Sequence, residues 1–128
     1  IKIANKNNRL VKNKVTFINK SIEEYIPETK FDVIVSNPPY IFFEDRSKVD
    51  SNVLNYEPHE ALFVSKDPLY FYKKILKFCS RHLNKKGNIY FEINDKYERE
   101  LGLLFSEFEC KFIKDIYGKK RFLFVTIT

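Results

Sequence analysis

The chain has 128 residues, 44% of them hydrophobic, which is enough for one domain, or part of one, with a modest core. Thirteen Phe and eight Tyr supply large side chains for burial and exclude a disordered chain. No apolar run approaches the roughly 20 residues of a membrane span, and no stretch resembles a signal peptide. We therefore expect a soluble, cytoplasmic protein with no membrane partner.

The formal net charge of +6 is compatible with two kinds of surface. Clustered Lys and Arg would attract nucleic acid or another acidic partner, such as one associated with the ribosome. Here the basic residues are spread along the chain with acidic residues between them, which is typical of a solvated surface, and we expect no requirement for direct nucleic-acid binding. Cys79 and Cys110 lack the spacing of a zinc site, so we expect free thiols and no metal.

Short elements are predicted in the first half of the chain. They are the end of a helix at residues 1–8, a short strand at 15–19, a loop or helical turn at 21–26, and a buried strand at 31–36. Residues 41 to about 63 have no steady period and predict a long surface excursion, a kind of segment that is often functional. Because the pattern begins without a cap or an initiating methionine, we expect the chain to be a fragment.

The clearest predicted helix begins at Asp67-Pro68 and is expected to end before Gly87. Its apolar face is formed by Leu69, Tyr72, Ile75, Leu76, Cys79 and Leu83. A strand at residues 89–93 follows it.

Asp95 and Glu98 then form the pattern of a capping box and predict a second helix. Strands at residues 111–116 and 121–127 are predicted to form a terminal hairpin around a tight turn. This order of elements predicts an α/β sheet whose last strand is antiparallel.

The tetrapeptide Asn37-Pro38-Pro39-Tyr40 directly follows the buried strand 31–36. Two prolines end a strand rigidly and place the next side chains outside its carboxyl end, where open α/β sheets bind ligands. A planar amide or exocyclic amine is a poor nucleophile, so a nitrogen methyl acceptor must be held by hydrogen-bond acceptors and a flat surface. Asn37 offers a side-chain oxygen, Pro38 a backbone carbonyl and Tyr40 an aromatic ring. The alternative interpretation is a strand-ending turn with a packed tyrosine.

With four other segments, the tetrapeptide resembles the HemK-type protein glutamine N5-methyltransferases. The other segments are Tyr56-Glu57-Pro58-His59-Glu60-Ala61-Leu62-Phe63, Asp67-Pro68-Leu69, Phe91-Glu92-Ile93-Asn94, and the ending from Asp115 to Arg121. The resemblance covers essentially all 128 residues, as the carboxyl-terminal part of a catalytic domain. DNA adenine methyltransferases share the tetrapeptide, whereas the glutamate-proline segment points to the glutamine enzymes.

The resemblance implies a Rossmann-like fold that uses S-adenosylmethionine and methylates the glutamine of the Gly-Gly-Gln loop of class 1 peptide-release factors. It implies that Asn37 and the Pro38 carbonyl bind the glutamine amide and that Tyr40 packs against it. Pro39 and Glu57 are the further substrate-binding candidates that it implies.

The resemblance also places cofactor-binding candidates along the chain. Asn37 would lie near the methionine end of S-adenosylmethionine. Ungapped counting back from Asn37 places Ser21 and Ile22 where relatives carry residues near the adenine.

The chain departs from the family in what precedes the motif. Its only glycines are Gly87, Gly102 and Gly118, so the glycine-rich cofactor loop, the first strands and the helical N-terminal domain of the family are missing from this sequence. The fold is therefore expected to be partial, and the fragment alone can be inactive. The family sheet would place the missing strands between segment 15–19 and strand 31–36. We expect the fragment to self-associate through the open edge, or to move segment 15–19 into the gap.

Two alternatives to a glutamine methyltransferase stay open. The tetrapeptide and the basic charge also fit a nucleic-acid amino methyltransferase acting on adenine N6 or guanine N2. The missing glycine loop fits a truncated, non-catalytic binding module. Among other polar residues, Glu92 either orients a loop at the site or is a carboxylate satisfied by backbone donors, and His59 is expected at the surface.

Overall fold

The protein is described by a computed structural model that covers residues 1–10, 15–64 and 67–127. The helices are α1 (Lys2–Leu10), α2 (Ser51–Tyr56), α3 (His59–Leu62), α4 (Tyr70–His82) and α5 (Glu98–Leu104). The strands are β1 (Phe31–Ser36), β2 (Ile41–Phe42), β3 (Phe63–Val64), β4 (Leu83–Glu92), β5 (Glu109–Lys114) and β6 (Lys120–Thr126). Phe43–Lys48 and Asp95–Tyr97 form short 3-10 helices.

A four-stranded mixed sheet, in the spatial order β1-β4-β6-β5, organises the molecule. β1 runs parallel to β4, while β6 is antiparallel to both β4 and β5. A parallel pair needs a crossover connection, and here α4 supplies it. The predicted fold class, an α/β sheet that ends in an antiparallel hairpin, is confirmed.

The core lies on one face of this sheet. Alternate residues of the two central strands point into it and are almost completely buried: Ile89 and Phe91 from β4, and Leu123 and Val125 from β6. Helices α4 and α5 cover them with Tyr72, Ile75, Cys79 and Leu101, joined by Phe105. The period-2 pattern of the strands and the 3.6-residue pattern of α4 therefore meet in a single apolar cluster.

The opposite face of the sheet is open. It carries large apolar side chains that are 40% or more exposed, namely Val33, Val35, Tyr90, Ile113 and Phe122. The outer edge of β1 is also bare, because the only strand paired with β1 in the described parts of the chain is β4.

The expected strand at residues 15–19 is wrong. These residues are exposed and not assigned to any sheet, and they do not fill the space beside β1. Val15 and Ile18 have strand-forming side chains, but a strand forms only where backbone donors and acceptors find a partner. The alternative in which this segment moves into the open edge is therefore wrong as well, while self-association stays a prediction.

Two signals at helix ends have a different role in the structure. α4 ends at His82, before Gly87 as predicted, but β4 begins at the next residue, so Gly87 lies inside a strand and does not itself stop the helix. The predicted cap at Asp95 also differs, because a 3-10 helix, Asp95–Tyr97, precedes α5. The Asn94 side chain caps this 3-10 helix by accepting a hydrogen bond from the backbone N–H of Lys96 at 3.0 Å, whereas the N-cap of α5 is Tyr97, which makes no side-chain bond.

Other predicted features agree with the structure. α1, β1, α4, α5 and the terminal hairpin lie where the sequence predicts them, with shifts of a few residues at their ends. Cys79 and Cys110 are free thiols, and burial raises the pKa of Cys79 to about 12. In the described ranges, the helices are all too short or too polar to cross a membrane.

Gly87, which lies in β4, has no room for a side chain. An added Cβ would lie 2.6 Å from Leu83 Cγ and 2.8 Å from the Asn84 carbonyl oxygen. We expect Gly87→Ala to lower the free energy of unfolding by about 1–3 kcal/mol, measured by urea titration of the chain.

Gly102→Ala is the matched control for this substitution. Gly102 lies within α5, and the nearest atom to its added Cβ is 3.9 Å away. Because alanine favours a helix over glycine, this variant should be unchanged or more stable by about 0.5–1 kcal/mol. Equal losses in the two variants would contradict the close approach at Gly87.

Candidate active site

The tetrapeptide Asn37-Pro38-Pro39-Tyr40 leaves the sheet at the carboxyl end of β1. Ser36, the last residue of β1, pairs with Phe91 of β4, so the tetrapeptide emerges beside Glu92, where β4 ends. Pro38 is buried, Asn37 is exposed, and Pro39 and Tyr40 are half-buried. The turn is thus anchored at its centre, and the Asn37 amide is left accessible.

A hydrogen bond fixes the orientation of the Tyr40 ring. The Tyr40 hydroxyl donates to Glu92 Oε1 at 2.7 Å, and the Tyr72 hydroxyl of α4 donates to the Glu92 backbone carbonyl at 2.9 Å. Glu92 therefore connects the tetrapeptide, the end of β4 and α4. Of the two roles that the sequence left open for Glu92, the structure supports the orienting one.

The Tyr40 phenol is held in its protonated form. Burial raises the pKa of Tyr40 to about 12, the hydrogen bond and negative charge of Glu92 add to this rise, and the charge of Arg121 opposes it. Burial also raises the pKa of Tyr72. At neutral pH both hydroxyls are therefore hydrogen-bond donors.

Two cavities flank the tetrapeptide. The first, the motif cavity, has a volume of about 70 Å³ and is lined by Asn37, Pro38, Pro39, Tyr40, Ile41, Ala61 and Leu62. The second, the apolar groove, has a volume of about 230 Å³ and is lined by Ile22, Ile34, Val35, Ser36, Pro38, Pro39, Phe71 and Ile75. The two prolines lie between the cavities and contribute to both.

The turn that begins at Ser21 brings Ile22 to the apolar groove. Tyr25 N–H donates to the Ser21 carbonyl at 3.0 Å, and the Ser21 hydroxyl accepts from Glu23 N–H at 3.2 Å. Glu23 is bound by Tyr70 and Lys74 of α4, and the Lys74 ammonium, followed by the Tyr70 hydroxyl, lowers the pKa of Glu23. Of the two expected adenine-side residues, Ile22 lines the groove, whereas exposed Ser21 shapes the turn.

The long segment that begins at Ile41 comes back to the tetrapeptide at its far end, where two short strands pair in parallel. β2 pairs with β3, with Ile41 opposite Phe63. This pairing brings Ala61 and Leu62 to the motif cavity, a position that the sequence pattern does not indicate. Their signal was the apolar run at the end of the excursion, but nothing local in the sequence showed where that run would pack.

Glu57 lies apart from the motif cavity. It is exposed and forms the C-cap of α2, its N–H donating to the Val53 carbonyl at 3.0 Å. Exposed His59 donates a hydrogen bond from Nε2 to the Leu54 carbonyl, 3.1 Å away, and packs edge-on against Phe63.

The chemistry that this arrangement offers is positioning. Asn37 with its amide, Pro38 with its backbone carbonyl and Tyr40 with its oriented ring all line the motif cavity, and groups of these kinds can hold a planar group in place. Across residues 1–10, 15–64 and 67–127, no group of three or more His, Cys, Asp or Glu side chains is arranged to hold a metal ion.

Comparisons with known proteins agree with the resemblance found in the sequence. A family model described as Eco57I restriction-modification methylase matches residues 1–124, and the chain belongs to this methylase family. It is 42% identical over 125 residues to a release factor glutamine methyltransferase of Flavobacterium psychrophilum, covering 94% of this chain and 44% of the relative.

Two further relatives carry the same name. The protein of Bacteroides thetaiotaomicron is 39% identical over 127 residues, covering 94% of this chain and 46% of the relative. That of Lactococcus lactis is 36% identical over 127 residues, covering 96% of this chain and 47% of the relative. The chain thus spans about half the length of these curated relatives, and the expected kinship with glutamine methyltransferases is confirmed.

The raised pKa of Tyr40 predicts a specific loss of stability at alkaline pH. Between pH 10, where an unperturbed phenol ionises, and pH 12, the unfolded chain binds fewer protons at this residue than the folded chain does. The stabilisation associated with the protonated Tyr40 phenol is therefore fully present below pH 10 and is lost as the pH rises through this range. We expect the free energy of unfolding of Tyr40→Phe to decline less steeply over this range, as measured by urea titrations.

Tyr117→Phe is the control for this experiment, because Tyr117 is 84% exposed and its hydroxyl is in solvent. It should decline as the parent chain does. Burial and then the charge of Tyr40 raise the pKa of Tyr72, so Tyr40→Phe also reduces the alkaline loss that Tyr72 causes, in the same direction as its own effect. Parallel curves for the parent and Tyr40→Phe would contradict the buried, hydrogen-bonded phenol.

Proposed function

We propose that this chain is the carboxyl-terminal part of the catalytic domain of a protein glutamine methyltransferase. The reaction is the transfer of a methyl group from S-adenosylmethionine to the side-chain nitrogen of the glutamine in the Gly-Gly-Gln loop of a class 1 release factor. The observation that carries the proposal is the oriented tetrapeptide beside a small cavity, in a chain whose curated relatives are named release factor glutamine methyltransferases.

The motif cavity suits a primary amide. The amide N–H groups would donate to the Asn37 side-chain oxygen and the Pro38 carbonyl, while the flat face of the amide would pack on Tyr40. Ala61 and Leu62 would close the apolar side of the cavity. Such a site accelerates the reaction by orientation, because the protein aligns the nitrogen for attack and excludes water.

The apolar groove suits the flat ring of the cofactor. Ile22, Pro38 and Phe71 offer apolar surface on the side of the tetrapeptide away from the motif cavity, and Asn37 would lie toward the methionine end. When bound, S-adenosylmethionine supplies an activated methyl group, so the residues of this chain need only hold and align the two reactants. Glu57 and Ser21, both exposed, would contribute through contacts with bound ligands at the surface.

The direct test uses the encoded full-length protein, S-adenosylmethionine and an intact release factor. Mass spectrometry should find one added methyl group on the glutamine of the Gly-Gly-Gln loop. A substrate in which this glutamine is replaced by alanine is the control and should gain none. An unmodified glutamine after exhaustive incubation would overturn the proposal.

A nucleic-acid amine is the second candidate acceptor, because the matching family is described as a restriction-modification methylase. A base flipped into the motif cavity would also present a planar amine beside an aromatic ring. Labelled methyl transferred to DNA or RNA, and not to release factor, would favour this alternative. Retention of activity at high salt would count against it.

Asn37→Ala should lower kcat by roughly 100-fold or more in the full-length protein and leave the fold intact. It removes an accessible acceptor at a strand end and not a core side chain. Asn7→Ala, in a helix with no buried residues, is the matched control and should retain parental kinetics. Unchanged turnover by Asn37→Ala would remove Asn37 from the site.

Substitutions of Tyr40 separate its ring from its hydroxyl. Tyr40→Phe keeps the ring but loses the bond to Glu92, so we expect kcat/KM to fall by no more than roughly tenfold. Tyr40→Ala also loses the ring, and its kcat/KM should be at least about ten times lower than that of Tyr40→Phe. The measurement is kcat/KM with the intact release factor. Equal losses would assign the catalytic contribution to the hydroxyl instead of the ring.

A further inference from the structure

The tip of the β5–β6 hairpin, residues 115–119, exposes two large apolar side chains. Ile116 is 91% exposed and Tyr117 is 84% exposed. Among the large apolar residues of the described ranges, Tyr56 at 85% is exposed to a similar degree, and Ile26 follows at 79%. Adjacent exposed apolar side chains at a loop tip are a common feature of a contact surface.

The hairpin tip is rigid. The Asp115 carboxylate accepts from the N–H groups of Tyr117 and Lys119 at 2.9 and 3.0 Å. Backbone bonds join Asp115 N–H to the Lys119 carbonyl at 2.8 Å and Gly118 N–H to the Asp115 carbonyl at 3.0 Å. Gly118 supplies the positive φ of 81° that the turn requires. Little conformational entropy would therefore be lost when the tip binds a partner.

The hairpin tip extends from the same edge of the sheet as the candidate active site. Ile93 N–H, just beyond β4, donates to the Arg121 carbonyl at 2.8 Å, and Glu92 pairs with Phe122. Glu92 is the residue that holds Tyr40. A macromolecule whose acceptor group enters the motif cavity would thus pass close to the tip.

The charge around the hairpin tip is positive. The nearby acids Asp115 and Glu98 are engaged by Arg121 and Lys120, respectively. Lys114 and Lys119 are exposed, and within the described ranges neither takes part in an ion pair. The partner that complements this surface is acidic and has an apolar recess.

We propose that the hairpin tip docks onto the protein substrate, on an acidic surface next to the loop that carries the acceptor glutamine. This inference rests on the proposed function. A protein fits better than RNA, because Ile116 is aliphatic and offers no ring on which a base could stack, whereas protein pockets accept aliphatic and aromatic side chains alike.

The test is the double variant Ile116→Ser/Tyr117→Ser of the full-length protein, assayed with an intact release factor. KM should rise at least tenfold with kcat within twofold, because docking is lost while the aligned site is unchanged. Ile26→Ser is the matched control: Ile26 is 79% exposed and shares a cleft with Phe31 at the amino end of β1. It should keep the parental KM.

A charge reversal provides an independent readout. Lys119→Glu should raise KM and weaken its dependence on salt, whereas Lys77→Glu, at an exposed site of α4, should do neither. A parental KM in both tip variants would overturn the docking role while leaving the proposed function intact. If the tip variants keep the parental KM for the release factor but lose binding to a labelled RNA, the tip is a nucleic-acid contact and not a protein-docking surface. If the parent protein methylates no release factor, the proposed function itself fails.

Discussion

The parallel register between β1 and β4 is the constraint on which the candidate site depends. Ser36 lies opposite Phe91, so the residues that follow the two strands, Asn37 to Tyr40 on one and Glu92 on the other, emerge side by side. A slip of one residue would turn the apolar side chains of β1 to the wrong face and move Tyr40 away from Glu92. The apolar core that fixes this register is therefore also what aligns the site.

Among the described residues, helices cover one face of the sheet. Helices α4 and α5 bury the inner residues of β4 and β6, while the other face carries exposed Val35 and Tyr90, and no described strand pairs with the outer edge of β1. An apolar face and an unpaired edge are both surfaces that favour association with further protein.

Local sequence patterns predicted the elements that are defined by the spacing of apolar side chains or by turn residues. β1 with its terminal prolines, the amphipathic α4 and the hairpin around Gly118 all follow from spacing and turn chemistry. Features that depend on distant partners did not follow from such patterns. Segment 15–19 has strand-forming residues but no strand beside it, and Gly87 is required by contact with Leu83 across a bend in β4.

The same distinction applies to the candidate site. The tetrapeptide was identifiable because its chemistry is contained in four consecutive residues, and Ile22 was reached through the family resemblance. Ala61 and Leu62 were missed because their proximity depends on the pairing of β2 with β3, two strands of two residues each. Such short pairings leave almost no period in the sequence.

Glu92 shows how the core and the site are coupled. Its carboxylate receives the Tyr40 hydroxyl, and its backbone carbonyl receives the Tyr72 hydroxyl from α4, whose ring packs 5.2 Å from that of Phe91. Both phenols that bind Glu92 thus have a hydrogen-bond acceptor. A shift of α4 would change the position of Glu92 and, through it, the ring that faces the motif cavity. The packing of a helix that does not itself line the motif cavity therefore helps to set the geometry in which the acceptor group would be held.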